Sequence, residues 1–334
     1  MIQVLIPTRR RPDYLRVALE SVRAQSAAGR IGTVVVSENG GSRESERVCA
    51  DFQDLPILYL FQQPELDSHA HARELTKIDR QPYTAILHDD DWWTPCHLEV
   101  AISGLESRPD CQAFFASYLE LFDVFPTQVH RNVWRAWIAG GKDFRPPVLH
   151  MSLVQVLVAN LLATTFHYST LVARSGAFRS SMLTVCDSGN NFDTDRMAPA
   201  LLADPAGIVY STIPTAIIRR HSEQDSMAAE FAEIGQFKIM TETSRWLQRR
   251  WPRQCQDAAV YFNASVQDIG EEKRRLVSGG THEPLLSYLI DELGFNLSRP
   301  PVPMMERFKR RLPDSVRAGL RILRHLVSGA PPRA

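Results

Sequence analysis

From Gln3 to Phe122 the chain alternates short apolar runs with amphipathic stretches. Gln3–Pro7 is a continuous apolar run that fits a buried strand. Pro12 follows where a helix can begin, and Leu15, Leu19 and Val22 recur at helical spacing. Thr33–Val36 is a second, β-branched strand, ended by Ser37-Glu38-Asn39-Gly40-Gly41, and Ile57–Phe61 is a third. His69–Ile78 reads as a helix. Tyr83–Leu87 is a fourth strand that runs straight into His88-Asp89-Asp90-Asp91, and Thr94-Pro95 reads as the cap and first turn of the next helix. Cys111–Phe122 is again strand-like. Residues 123–166 read as an irregular insertion carrying Trp134 and Trp137. Its last stretch, Val148–Phe166, is apolar but broken by His150, Gln155 and Asn160, so a buried or interfacial helix is expected rather than a membrane span. Strand signals return at Ser169–Ala173 and Gly207–Arg219, and beyond Ser222 the pattern is helical and charged.

Such alternation predicts an α/β domain over residues 1–226 and a helical region over 227–334. Continuous apolar strands separated by helices mean a mainly parallel sheet covered on both faces. Ligands of such sheets bind outside the carboxyl ends of the strands. Three polar clusters fall at those ends: Thr8–Arg11, Ser37–Asn39 and His88–Asp91.

Composition narrows the partners. Lys+Arg and Asp+Glu are equal at 38 each, so no global charge favours nucleic acid. The segment from Arg299 to Ala334, however, carries a balance of +7. Within it Val316, Leu320, Leu323 and Val327 recur at helical spacing beside Arg317, Arg321 and Arg324. A basic amphipathic helix of this kind fits an anionic membrane surface, and it equally fits a helix packed on the body with its arginines in water. The five cysteines form no zinc spacing and no disulfide framework, and the start lacks a charged region and cleavage site. A cytoplasmic protein is therefore expected, peripheral on the inner face of the plasma membrane if the tail engages lipid.

Three adjacent aspartates repel one another, and a fold tolerates them cheaply in water or around a cation. One reading is a solvated turn that caps the following helix. The other is a site for Mg²⁺ or Mn²⁺, the hard cations that oxygen ligands favour and that also hold substrate phosphates.

Here the chain resembles the family 2 glycosyltransferases, over residues 1 to 226. The resemblance is carried by Pro7-Thr8-Arg9-Arg10-Arg11-Pro12-Asp13-Tyr14-Leu15, Ser21-Val22-Arg23-Ala24-Gln25 and Glu38-Asn39-Gly40. It continues through Ala72-Arg73-Glu74, Leu87-His88-Asp89-Asp90-Asp91-Trp92-Trp93-Thr94-Pro95, Asp193-Thr194-Asp195 and Arg219-Arg220-His221. It implies the GT-A nucleotide-binding fold with a mainly parallel central sheet, followed by a C-terminal helical extension. It also implies residue roles. Pro7, Thr8, Arg11, Glu38, Asn39 and Arg73 would line the nucleotide-sugar pocket, with Glu38 near the base or ribose. His88 stands where the family has the first aspartate of its DxD-type motif, a ribose contact that Asp89 would take over. Asp90, with Asp91 beside it and His221 completing the site, would hold Mn²⁺ or Mg²⁺.

The resemblance further implies an inverting, metal-dependent transfer from a nucleotide-sugar to a hydroxyl of a glycan or lipid-linked acceptor. The general base would be Asp193, with Asp195 the alternative. The expected setting is bacterial cell-surface polysaccharide synthesis. A nucleotidyltransferase shares the sheet and the carboxylates, but it needs a Gly-rich phosphate loop, and Pro7–Pro12 has no glycine. A non-catalytic nucleotide-sugar-binding relative is the remaining rival; the presence of Asp90 and Asp193 argues against it.

Overall fold

The computed structural model describes residues 1–41, 43–78, 80–122, 125–131, 147–162, 166–188, 194–221, 233–266 and 288–297. The apolar runs become strands β1 (Ile2–Thr8), β2 (Ile31–Asn39), β3 (Ile57–Gln62) and β4 (Tyr83–Ile86). They lie parallel in the order β3-β2-β1-β4. Successive side chains of a strand point to opposite faces. Val4 and Ile6 of β1 thus enter one core with Val34 and Val36, whereas Leu5 and Val35 enter the other. Two buried faces explain why these strands are apolar throughout.

Helix α1 (Pro12–Arg23) starts with proline in its first turn, where the missing N–H costs nothing, and buries Leu15, Ala18, Leu19 and Val22. It covers one face with α2 (Glu44–Ala50) and α4 (His97–Ser107). Helix α3 (Ser68–Thr76) lies against the other face, capped by the Asp67 side chain, which accepts from the Ala70 N–H.

The second half of the sheet is mixed. A two-residue strand β5 (Trp92–Trp93) precedes α4, followed by β6 (Ala113–Phe122), β7 (Phe125–Arg131), β8 (Val148–Met151), β9 (Val172–Arg174) and β10 (Ile208–Arg220). The order continues β4-β9-β6-β10-β5, with β9 antiparallel to both neighbours and β6 parallel to β10. The sheet is mainly parallel and curled, flanked by helices on both faces.

Two expectations shift. The helix after the aspartates begins at His97, not Thr94, because Trp92 and Trp93 pair with Ile217 and Ala216, and the Thr94 N–H donates to the Thr215 carbonyl at 3.0 Å. The apolar stretch from Val148 is not one helix. Val148–Met151 is a strand on β10, and helix α5 runs only over Leu153–Leu162. Ser152 and Gln155 exchange hydrogen bonds there: the Ser152 N–H donates to Gln155 Oε1 at 2.9 Å, and the Gln155 N–H to Ser152 Oγ at 3.4 Å. This is a capping box, and it marks the helix start.

Helices α6 (Ser175–Ser188) and α7 (Thr194–Ala203) follow, then α8 (Glu233–Arg250) and α9 (Pro252–Val266). Helix α9 packs on α5, where Gln155 Nε2 donates to the Tyr261 hydroxyl at 3.0 Å. The helices past residue 226 thus share the compact unit Met1–Leu297. The basic tail, Trp134, Trp137 and Asp193 lie outside the described residues. All five cysteines are free thiols. Among the described residues no helix is long and apolar enough to cross a membrane.

One glycine is held by geometry. Gly207 has φ +84°, and a Cβ there would stand 2.4 Å from the Met151 carbonyl oxygen. Gly207→Ala should destabilise the fold by about 2–4 kcal/mol through left-handed strain and backbone collision. Urea unfolding measures this, and a change under about 0.5 kcal/mol, the size of an ordinary surface substitution, would refute it.

Candidate active site at the carboxyl ends of the strands

Parallel registry brings Thr8 opposite Glu38, and Glu38 opposite Phe61, along one sheet edge. Beside them, the Leu87 N–H donates to the Leu5 carbonyl at 3.0 Å, and the turn His88–Asp91 closes with the Asp91 N–H on the His88 carbonyl at 3.2 Å. Strand β10 delivers Arg219, Arg220 and His221 to the same place from far along the chain.

The aspartates are buried, with 5%, 8% and 1% of Asp89, Asp90 and Asp91 exposed, so this is not a solvated turn. Nor does a side chain from it cap α4. They fan apart. Asp89 Oδ2 accepts from the Thr8 hydroxyl at 2.8 Å. Arg11 Nη1 lies 3.6 Å from Asp89 Oδ1 and 3.3 Å from Asp90 Oδ2. Asp90 Oδ2 is 3.1 Å from His221 Nε2. Asp91 turns the other way: its carboxylate accepts from the Ser169 hydroxyl at 2.5 Å and from the Arg219 N–H at 3.0 Å. Asp90 and His221 therefore meet, and Asp91 does not join them. It faces His88 and His167 instead, whose Nδ1 atoms stand 3.9 Å and 3.7 Å from Asp91 Oδ2.

Other expected residues divide similarly. Glu38 is buried and accepts from the Tyr59 hydroxyl at 2.5 Å, which together with burial pushes the Tyr59 phenol up. Gly41 keeps the second oxygen open, since a Cβ there would come within 3.1 Å of Glu38 Oε1. Next to it lies a cleft of about 650 Å³ lined by Arg10, Gly40, Gly41, Gln63, Pro64 and Glu65. Pro7 is partly buried at the end of β1. Asn39 spends both ends of its amide on the backbone of Leu66, at 2.8 and 2.9 Å. Arg73 is half-buried and ion-pairs with Asp187 of α6. Asp195, in the first turn of α7, accepts from the Tyr168 N–H at 3.3 Å.

Tyr59, His167 and Ser169 carry no motif. Tyr59 alone had a signal: it stands two residues before Phe61, the register partner of Glu38, so it shares that face of the sheet.

Burial first, then the neighbouring Asp90 charge, pushes the Asp89 carboxyl up to about 7; the Arg11 guanidinium and the Thr8 hydroxyl hold it back. The same two causes raise Asp91, and burial lowers His88 and His167. A carboxyl raised in the folded state binds its proton longer there than in the unfolded chain, where it titrates near 4. Without a cation, stability should thus be highest below pH ~4 at this group and fall as pH rises toward about 7. Melting temperatures across that window, wild type against Asp89→Asn, check this. An identical slope in both would remove Asp89 as its cause.

The donor set, a carboxylate with an imidazole beside it, suits a divalent cation. Asp90 Oδ2 and His221 Nε2 are close enough at 3.1 Å to serve one ion, and His221 Nδ1 is buried with no hydrogen-bond partner among the described residues. Asp89 offers a further oxygen one residue away. The buried aspartate turn lies beyond the carboxyl ends of the parallel strands, where open α/β sheets bind their ligands.

Residues 3–152 match the family described as "Glycosyl transferase family 2", and the α/β fold is of the GT-A type. Two solved structures of S. aureus TarS residues 1–349 share the fold. The complex with UDP-GlcNAc has a TM-score of 0.58 at 12% identity, covering 87% of this chain and 83% of that one. The complex with UDP has a TM-score of 0.55 at 11% identity, covering 88% and 79%. No curated protein matches the chain.

Proposed function

We propose that the protein is an inverting glycosyltransferase that moves a sugar from a UDP-sugar to a hydroxyl of a glycan or lipid-linked acceptor, in bacterial cell-surface polysaccharide synthesis. The observation that carries this reading is the pairing of buried Asp90 with His221 at the sheet edge, with Arg11 bridging Asp90 and Asp89. UDP is the nucleotide chosen because the TarS fold, which this chain shares, is known with UDP and UDP-GlcNAc bound.

Asp90 and His221, helped by Asp89, would hold Mn²⁺ or Mg²⁺. Bound there, the ion supplies positive charge for the departing diphosphate. The chain's own residues do the rest. Glu38, held by Tyr59, offers a buried acceptor for the N–H of a base or the hydroxyl of a ribose. Thr8 and Arg11 orient the aspartates. Asp193 takes the proton from the acceptor hydroxyl as its oxygen attacks the anomeric carbon and the bond to phosphate breaks on the far side. One in-line displacement inverts that carbon and needs no covalent enzyme intermediate.

A thermal-shift panel of nucleotide-sugars with Mn²⁺ tests the donor assignment. The right donor at ~100-fold its dissociation constant should add about 2.7 kcal/mol of stability. A panel in which no UDP-sugar shifts the melt, while a GDP- or dTDP-sugar does, overturns the choice of nucleotide.

A further inference from the structure

We propose that His88, Asp91 and His167 form a second cation site, distinct from Asp90 and His221 and suited to a borderline divalent metal such as Zn²⁺.

The aspartate turn sorts its carboxylates onto two sides. Asp90 faces Arg11 and His221. Asp91 faces two imidazoles, and the ligand atoms of this trio all lie within 4.8 Å of one another. The separations from Asp91 Oδ2, 3.9 Å to His88 Nδ1 and 3.7 Å to His167 Nδ1, exceed those around a bound ion by only a few tenths of an ångström. Bonds of about 2.0–2.1 Å in a tetrahedron place ligand atoms roughly 3.3 Å apart. Three protein ligands leave a fourth position open.

The chemistry of the set differs from that of the first site. Two imidazoles and one carboxylate suit zinc, cobalt or nickel; magnesium and calcium favour oxygen alone. Supporting bonds for Asp91 are already built. The Ser169 hydroxyl and the Arg219 N–H both donate to it and fix its orientation. His167 Nδ1 accepts from the Ser169 N–H at 3.2 Å, so its lone pair lies at Nδ1, the nitrogen nearest Asp91. A metal would draw that ring off a long hydrogen bond. Asp91 and His167 are buried, whereas the His88 side chain is 37% exposed and gives the ion its way in. The ligands come from two places, the turn after β4 and the segment before β9, so the ion would cross-link segments 79 to 76 positions apart in sequence, as Ser169 and Trp93 already do by hydrogen bonds at 78 and 76.

The test uses the untagged, full-length chain stripped of metal and titrated with Co²⁺ as a visible stand-in for Zn²⁺. We expect the strong absorption of four-coordinate cobalt to saturate at one equivalent, to be displaced by Zn²⁺ and to resist Mg²⁺. His88→Ala and His167→Ala should each weaken cobalt binding at least tenfold. Asp90→Asn should leave the band in place. The proposal is overturned if the band survives both histidine substitutions, if it disappears with Asp90→Asn but not with His167→Ala, or if no such band forms. Should His167→Ala fail to melt cooperatively, His88→Ala decides, because its partly exposed ring can be removed without opening the core. Calorimetry of UDP with Mg²⁺ on the same samples reads the nucleotide site separately, so a failure of the UDP assignment does not imitate a failure here.

Discussion

Asp193→Asn is expected to lower turnover by about 10²-fold or more, the usual contribution of a general base, with donor affinity nearly unchanged. Helix α7 is described from Thr194 onward, with Asp195 in its first turn. A carboxylate near a helix N-terminus is held as the anion by roughly 0.3–1 kcal/mol, which keeps a base ready to accept a proton. Of the two acids, Asp195 already accepts the Tyr168 N–H. Asp195→Asn keeps an oxygen for that bond and should be the milder change. Steady-state kinetics on both variants with a shared donor and acceptor decide. A dead Asp195→Asn beside a near-wild-type Asp193→Asn would move the base two residues along. Full turnover in both would place it on another element.

Asp90→Asn is expected to abolish the metal dependence of UDP binding and to cut turnover by about 10²–10³-fold, the scale of losing one preorganised electrostatic contact to a developing charge. Its effect on stability should run the other way. The Asp90 charge is a cause of the raised carboxyl groups of both Asp89 and Asp91. Removing it relieves two buried repulsions, and Arg11 keeps Asp89 at 3.6 Å. The melting temperature of the metal-free protein should therefore not fall. Calorimetry with Mn²⁺ and a melt on one sample read both effects. Unchanged UDP affinity would end the role assigned to Asp90, and a large drop in melting temperature would show that the residue serves the fold instead.

Much of the sheet could be read from the chain because its strands are buried on both faces. Val34-Val35-Val36 is legible as a strand on its own, since both faces need apolar side chains. Pro12 and the spacing of Leu15, Leu19 and Val22 marked α1 for equally local reasons. Val148–Met151 was not legible: an apolar run of that length suits strand or helix, and only its pairing with β10 selects strand. The local marker was there in Ser152 and Gln155, whose spacing starts α5.

The aspartate turn was legible as a site, but its division was not. Which way each of three adjacent carboxylates points depends on partners 78 to 131 positions away, Ser169 and His221 among them. Arg73 shows the same limit. Its position on α3 is a matter of helical spacing, yet its partner Asp187 lies 114 residues on.

The stitching of the turn to β10 has a bearing on how the molecule is made. A chain growing from its N-terminus completes β1, β4 and the three aspartates long before Arg219 and His221 exist. Until β10 emerges and pairs with Trp92 and Trp93, Asp91 lacks its backbone donor and Asp90 its imidazole. The early half of the sheet can pair as it is synthesised, yet the edge that carries the aspartates stays open and hydrated. Contacts of such long sequence separation form late and slowly. The nascent domain should therefore pass through a stage with an ordered early sheet and an unformed aspartate site, completed only when the last strand is seated.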